Sequence, residues 1–133
     1  MDLPKAIEEL CEKNEFMNYN HIHLKEISQD HVVTELTVVK ESLNPYGIVH
    51  GGAFYTMGDC AAGIAARSDG RRYVTLSSSF NFLRGGQPGD TLQAAGIVRH
   101  RGRTTCLVDV AIHDTQGRLL ASGSYTFFCI DGH

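Results

Sequence analysis

The sequence predicts an α+β fold in which one antiparallel sheet wraps around a single long, apolar helix. Two observations carry that reading. Residues 51–66 read GGAFYTMGDCAAGIAA, small and apolar on every side, so the helix they form has no face suited to water. After residue 70 the chain breaks into four long runs rich in β-formers, joined by short glycine-containing connections that imply antiparallel neighbours. A length of 133 residues suits one domain with one core, residues 1–133.

The elements follow in order. Within residues 1–15 an amphipathic helix runs from Pro4 to about Asn14, with Ile7, Leu10 and Cys11 on one face and Asp2 and Pro4 at its start. His21–Ser28 and His31–Lys40 then read as a strand pair closed by a turn at Ser28–Asp30. The loop Glu41–Val49 carries the turn signal Asn44-Pro45-Tyr46-Gly47. The apolar helix spans residues 51–67 and ends near Ser68-Asp69-Gly70, where Gly70 supplies a left-handed stop. Strands follow at Tyr73–Leu83, Thr91–Arg101, Arg103–His113 and Arg118–Ile130. One small sheet cannot cover a helix that is apolar all round, so the pattern also predicts a dimer.

Composition narrows the setting. Hydrophobic residues make up 42% and charged residues 20%, an ordinary balance for a globular protein. The first ten residues, MDLPKAIEEL, are charged throughout and do not read as a secretory signal, and no apolar run reaches membrane-spanning length. Cys11, Cys60, Cys106 and Cys129 lack CxxC spacing and read as reduced core thiols of a cytoplasmic protein. His21 and His23 share a strand face without further ligands, so no metal site is expected. Residues 1–41 hold four lysines and nine acids, a balance of −5, whereas residues 42–133 hold eight arginines and six aspartates, a balance of +2. An arginine-only second part suits phosphate or carboxylate recognition. The chain is too acidic, and too poor in basic runs, for a nucleic-acid binder.

Asp59 is the candidate catalytic residue. Between His50 and Arg67 it is the only side chain expected to carry charge, and it sits on a helix expected to be buried. Burying a carboxylate costs several kcal/mol unless partners or a raised pKa relieve it. At the other end of the helix, Gly51 and Gly52 leave backbone N–H groups uncovered, where the positive end of the helix dipole can polarise a carbonyl oxygen. The same glycines would also serve a tight turn. Asp59 lies about 12 Å along the axis from Gly51, too far for one carbonyl carbon to meet both. Two antiparallel copies related by a two-fold axis would bring each Asp59 toward the other's Gly51.

The segment NPYGIVHGGAFYTMGDCAAGIAA resembles the active-site segment of hotdog-fold acyl-CoA thioesterases, in particular the phenylacetate-degradation thioesterase-like group. The later run SSSFNFLRGGQPGDTLQAAGIVRHRGRTTCLVDVAI resembles the same group's strand–turn–strand segment, and the likeness covers roughly residues 30–130. It implies a helix wrapped in a five- or six-stranded sheet, dimers that pair those sheets, and often a homotetramer. It also implies hydrolysis of acyl-CoA without metal or organic cofactor. By position, Asp59 is then the general base or the nucleophile, two roles the sequence does not separate. Gly51 polarises the thioester carbonyl, while Asn44 and His50 orient that carbonyl or hold the loop.

Thr75 on the following strand best matches the hydroxyl that holds the water or carboxylate, and Ser77 and Ser79 share its face by a period of two. Gly52 belongs to the same anion-accepting turn. Phe54, Tyr55 and Met57 are candidates for the acyl pocket or the core, and Arg84, Arg99, Arg101 and Arg103 for the CoA phosphates or plain surface charge. The substrate expected is a medium-chain or aromatic acyl-CoA. Two other readings stay open: an enoyl-thioester hydratase, for which no second His–acid pair is present, and a non-catalytic acyl-CoA-binding protein, which gains nothing from Asp59.

Overall fold

The computed structural model describes residues 2–131. Helix α1 covers Leu3–Glu12 and a short helix α2 covers Glu15–Tyr19. Strands β1 (Ile22–Ser28) and β2 (His31–Thr37) follow, then a 3₁₀ turn at Lys40–Ser42 and the long helix α3 at Gly51–Arg67. The chain ends in β3 (Tyr73–Phe82), β4 (Thr91–Arg101), β5 (Thr105–His113) and β6 (Leu119–Cys129).

The N-terminal segment holds two helices where the sequence pattern suggests one. The Asn14 carboxamide oxygen accepts the Met17 N–H at 3.0 Å, which caps α2 and ends α1. Strand β2 stops short of Lys40, because the Val38 N–H turns to the Asp90 carbonyl at 2.8 Å. Strand β5 starts at Thr105 rather than Arg103, because the Gly102 N–H closes the hairpin on the Thr105 carbonyl at 2.8 Å.

The strands form one six-stranded sheet in the order β1-β2-β4-β5-β6-β3, with every neighbouring pair antiparallel. Helix α3 leaves β2 near one edge, crosses the inner face, touches all six strands, and delivers the chain to β3 at the far edge. Ala61, Ala62, Ala65 and Ala66 lie fully buried against the sheet. Gly96 permits that close approach, since a Cβ there would stand 2.9 Å from the Ala61 carbonyl oxygen. Two buried hydroxyls fasten helix to sheet: Thr34 donates to the Met57 carbonyl at 2.9 Å and Tyr125 to the Tyr55 carbonyl at 2.8 Å.

Two features bear on the site. Strand β3 is exposed along most of its length, including Val74, Leu76 and Phe82, and pairs on one side only. Helix α3 is also only partly covered: Gly52 and Tyr55 are exposed, and Asp59, Cys60 and Gly63 are partly so. The expectation of a helix buried on every side is therefore not met within one chain. Asp59 itself is partly rather than fully buried.

Candidate active site

Asp59 sits two helical turns into α3, and the neighbouring strand supplies its partner. The Thr75 hydroxyl donates to Asp59 Oδ1 at 2.8 Å. Burial raises the Asp59 pKa above the usual carboxylate range, and the Thr75 bond offsets part of that rise. A carboxylate with a raised pKa, and with Oδ2 free of partners among the described residues, is the arrangement a general base needs. Cys60, next to it, is no rival as nucleophile. Burial and the charge of Asp59 push its thiol up to about 12, so it stays protonated.

A β-bulge decides which hydroxyls join Asp59. Thr75 pairs with Phe127 and Ser77 with Thr126, so Leu76 is an extra residue and the face alternation slips by one. Thr75 and Ser78 therefore face α3, with the Ser78 hydroxyl paired to the Tyr55 hydroxyl. The simple period of two places Ser77 and Ser79 beside Thr75, and the bulge overturns that: both lie on the opposite face. Tyr55 lines neither the Asp59 cleft nor the Gly51 cleft. Its ring packs on Phe80 and Tyr125, with centroids at 5.8 Å and 5.3 Å, and knits α3 to the sheet. Met57 is a fully buried core residue, whereas Phe54 reaches the cleft at the helix start.

That helix start is built by the Asn44–His50 loop. The Asn44 side-chain oxygen accepts the N–H groups of Tyr46 (2.9 Å) and Ile48 (3.3 Å), which ties the loop into a closed turn with Gly47 at φ 80°. These contacts hold the loop. His50 caps α3, its Nδ1 accepting the Gly52 N–H at 2.8 Å. With the Gly52 donor occupied, the Gly51 N–H is left with no acceptor among the described residues. Gly51 lines a cleft of about 310 Å³ together with Asn44, Phe54, Phe82 and Arg84.

Asp59 opens into a different cleft, of about 400 Å³, walled by Ile7, Leu10 and Cys11 of α1, by Asn14 and Met17, by Cys60, Gly63, Ile64 and Arg67 of α3, and by Tyr73, Val74, Thr75 and Phe127. No residue lines both clefts. Within one chain, the aspartate and the free amide therefore face separate spaces.

The arginines also divide. Arg84 is exposed at the Gly51 cleft. Arg99 is held by Asp109 at 2.9 Å. Arg101 does not reach a phosphate site: both terminal nitrogens of its guanidinium are engaged at the far end of α3. It donates to the Ala66 carbonyl at 2.8 Å and the Ala65 carbonyl at 3.2 Å, and it pairs with Asp30 and Asp69 at 2.8 Å each. Arg103 is exposed in the β4–β5 hairpin and lines neither cleft. Sequence reasoning missed Asn14, Tyr73 and Arg67 as neighbours of Asp59. The apolar stripe of α1 was the signal available for this wall, although stripe alone does not say what it covers.

Comparison with known proteins places this geometry. Residues 46–121 match the family model of the thioesterase superfamily. The acyl-coenzyme A thioesterase PaaI of Escherichia coli K12 is 33% identical over 100 residues, covering 75% of this chain and 71% of that protein. The solved structure of E. coli PaaI, from the phenylacetic acid degradation operon, superposes with a TM-score of 0.93 at 28% identity, over 98% of this chain and 94% of that one. A hypothetical thioesterase of Streptococcus pneumoniae solved with coenzyme A gives a TM-score of 0.80 at 38% identity, over 84% and 90%. It has also been solved with an aspartate, and separately a threonine, replaced by alanine. Fold and sequence agree on one class, a hotdog-fold thioester hydrolase. The chain belongs to the thioesterase superfamily, in the group that includes E. coli PaaI.

Proposed function

We propose that the protein hydrolyses medium-chain or aromatic acyl-CoA thioesters at a site shared by two copies of the chain. The observation that carries this is the separation of two complementary halves: a hydroxyl-held, proton-hungry Asp59 in one cleft and an unoccupied Gly51 N–H in the other. The open edge of β3 supplies the means of joining them. A long exposed strand with apolar side chains is a template for pairing, and a second copy added there would lay two α3 helices side by side. In an antiparallel pair, Asp59 of each copy meets the other's helix start. A dimer of such dimers in the cytoplasm is the assembly this reading favours.

The chemistry follows from the groups present. Asp59 takes a proton from water, whose oxygen attacks the thioester carbonyl carbon. The Gly51 N–H across the interface holds the developing oxyanion, where a fixed donor acts most strongly. The carbon–sulfur bond then breaks and the proton passes to the departing thiolate. Thr75 fixes the carboxylate, His50 and Asn44 fix the loop, and Arg84 offers a cation to the anionic end of CoA. No metal or organic cofactor enters.

The S. pneumoniae protein, solved with coenzyme A, supports the ligand class. Its two alanine replacements are separated in sequence by the same interval as Asp59 and Thr75, which supports these two residues as the pair that matters. The test is thiol release from short, medium, long and aromatic acyl-CoAs by wild type and Asp59→Asn. Turnover by wild type that drops at least about a hundredfold in the variant fits the proposal. Acyl-CoA that is bound but not cleaved by either protein would make this a binding protein instead. A single turnover in isotopically heavy water should label the released acid and leave Asp59 unlabelled, as a general base requires.

A further inference from the structure

The cleft that holds Asp59 has a second charged wall that the proposed hydrolysis leaves unused. Of the described side chains lining it, only Asp59 and Arg67 are charged, and Ile64, Val74 and Phe127 add apolar surface. Arg67 makes no ion pair among the described residues, and its Nε, shut away from solvent, has no hydrogen-bond partner among them; Arg101 Nε shares that state, but the rest of the Arg101 guanidinium is held by Asp30, Asp69 and two helix carbonyls. A buried, unpaired guanidinium nitrogen calls for an acceptor. Asp131, which feels the Arg67 charge, is already held by Arg72 at 2.6 Å. Asp59 does not serve either, because burial and the Thr75 hydroxyl account for its state without any pull from Arg67.

Arg67 follows Asp59 by eight residues, about 12 Å along the helix axis, and a helical side chain leans back toward the N-terminus. Its guanidinium therefore lies within a medium acyl chain's reach of a carbonyl placed at Asp59. The proposed hydrolysis already gives the anionic end of CoA to Arg84 at the Gly51 cleft, which leaves Arg67 to the acyl end.

Resting on the thioesterase reading, we infer that Arg67 receives an anionic group at the far end of the acyl chain, so that medium-length ω-carboxylated acyl-CoAs are the preferred substrates. The carbonyl sits between Asp59 and the partner copy's helix start. The chain's methylenes lie along Ile64, Val74 and Phe127, and the terminal carboxylate meets the Arg67 fork, whose geometry suits a carboxylate.

The test compares kcat/KM for hexanoyl-CoA, adipyl-CoA and the ω-methyl ester of adipyl-CoA, using wild type, Arg67→Gln and Arg67→Lys. Wild type should favour adipyl-CoA over both neutral substrates by about tenfold or more. The adipyl-to-hexanoyl ratio should collapse toward one in Arg67→Gln and recover partly in Arg67→Lys. A wild-type ratio near one, or a ratio that Arg67→Gln leaves unchanged, overturns the assignment while the thioesterase stands. Absence of turnover on all three while aromatic acyl-CoAs are still cleaved overturns this assignment alone, and absence of turnover on the aromatic substrates as well overturns the thioesterase reading with it.

Discussion

The two ends of α3 are finished in opposite ways. At the C-terminal end, Arg101 closes the carbonyls of Ala65 and Ala66 and is itself neutralised by Asp30 and Asp69, while Ser68 donates back to Ala65 at 2.6 Å. Cations at a helix C-terminus meet both its dipole and its unpaired carbonyls. At the N-terminal end, one donor is capped by His50, and the Gly51 N–H faces a cleft with no acceptor among the described residues. One end is saturated and the other is held open. A free helix N-terminus is a local loss of stability that the loop bonds of Asn44 and the sheet contacts of α3 have to carry, which is the expected arrangement where an oxyanion must bind.

Substitutions that exchange these conditions break the contrast in graded ways. The largest effect belongs to Asp59→Asn, with kcat falling at least about a hundredfold, about 3 kcal/mol of barrier. The same variant should be more stable near neutral pH. Burial raises the Asp59 pKa in the folded state above its unfolded value, so folded protein holds the proton more tightly. That contribution is complete below the ordinary carboxylate range and is lost as pH rises through the raised pKa. Thermal melts should therefore show Asp59→Asn above wild type at neutral pH, with the gap closing toward acid.

Gly51→Pro removes the N–H at the first helical position, where proline is well tolerated, and His50 already has the extended backbone (ψ 139°) that a following proline requires. We expect a loss of about a hundredfold in kcat with the melting temperature little changed. Arg101→Leu acts at the saturated end. It strips two carbonyls and two aspartates of their partner and should cost about 2–3 kcal/mol of stability by denaturant titration, while kcat of the folded fraction stays near wild type. Thr75→Val should be mildest, lowering kcat about tenfold. Because the Thr75 bond lowers the Asp59 pKa, its loss should also move the acid limb of the pH–rate profile to higher pH.

Much of this fold is legible in the sequence, for physical reasons. The unbroken apolar character of residues 51–66 marks α3, and short glycine-bearing connections mark the antiparallel run after it. Asp59 stands out because a lone acid in such a helix needs a reason. What the sequence hides are events that depend on distant partners. The bulge at Leu76 moves Ser78, in place of Ser77, to the helix side, and nothing in YVTLSSSF announces it. Asn14 ends α1 by capping α2, an outcome that composition alone does not distinguish from one longer helix. Arg101 and Arg67 look equivalent as letters. Only tertiary packing shows that the first is held by Asp30, Asp69 and the helix carbonyls through both terminal nitrogens, whereas the second lines the Asp59 cleft.

The central claim is that Asp59 of one chain works with Gly51 of another, and mixing the two inactive variants tests it most directly. Asp59→Asn and Gly51→Pro chains, unfolded and refolded together, form mixed dimers in which one of the two sites pairs an intact aspartate with an intact amide. Recovery of thiol release in the mixture, absent from either variant alone, is the predicted result. A mixture as inactive as its components, with mixed dimers confirmed by mass spectrometry, would mean that each site lies within one chain and would contradict the account.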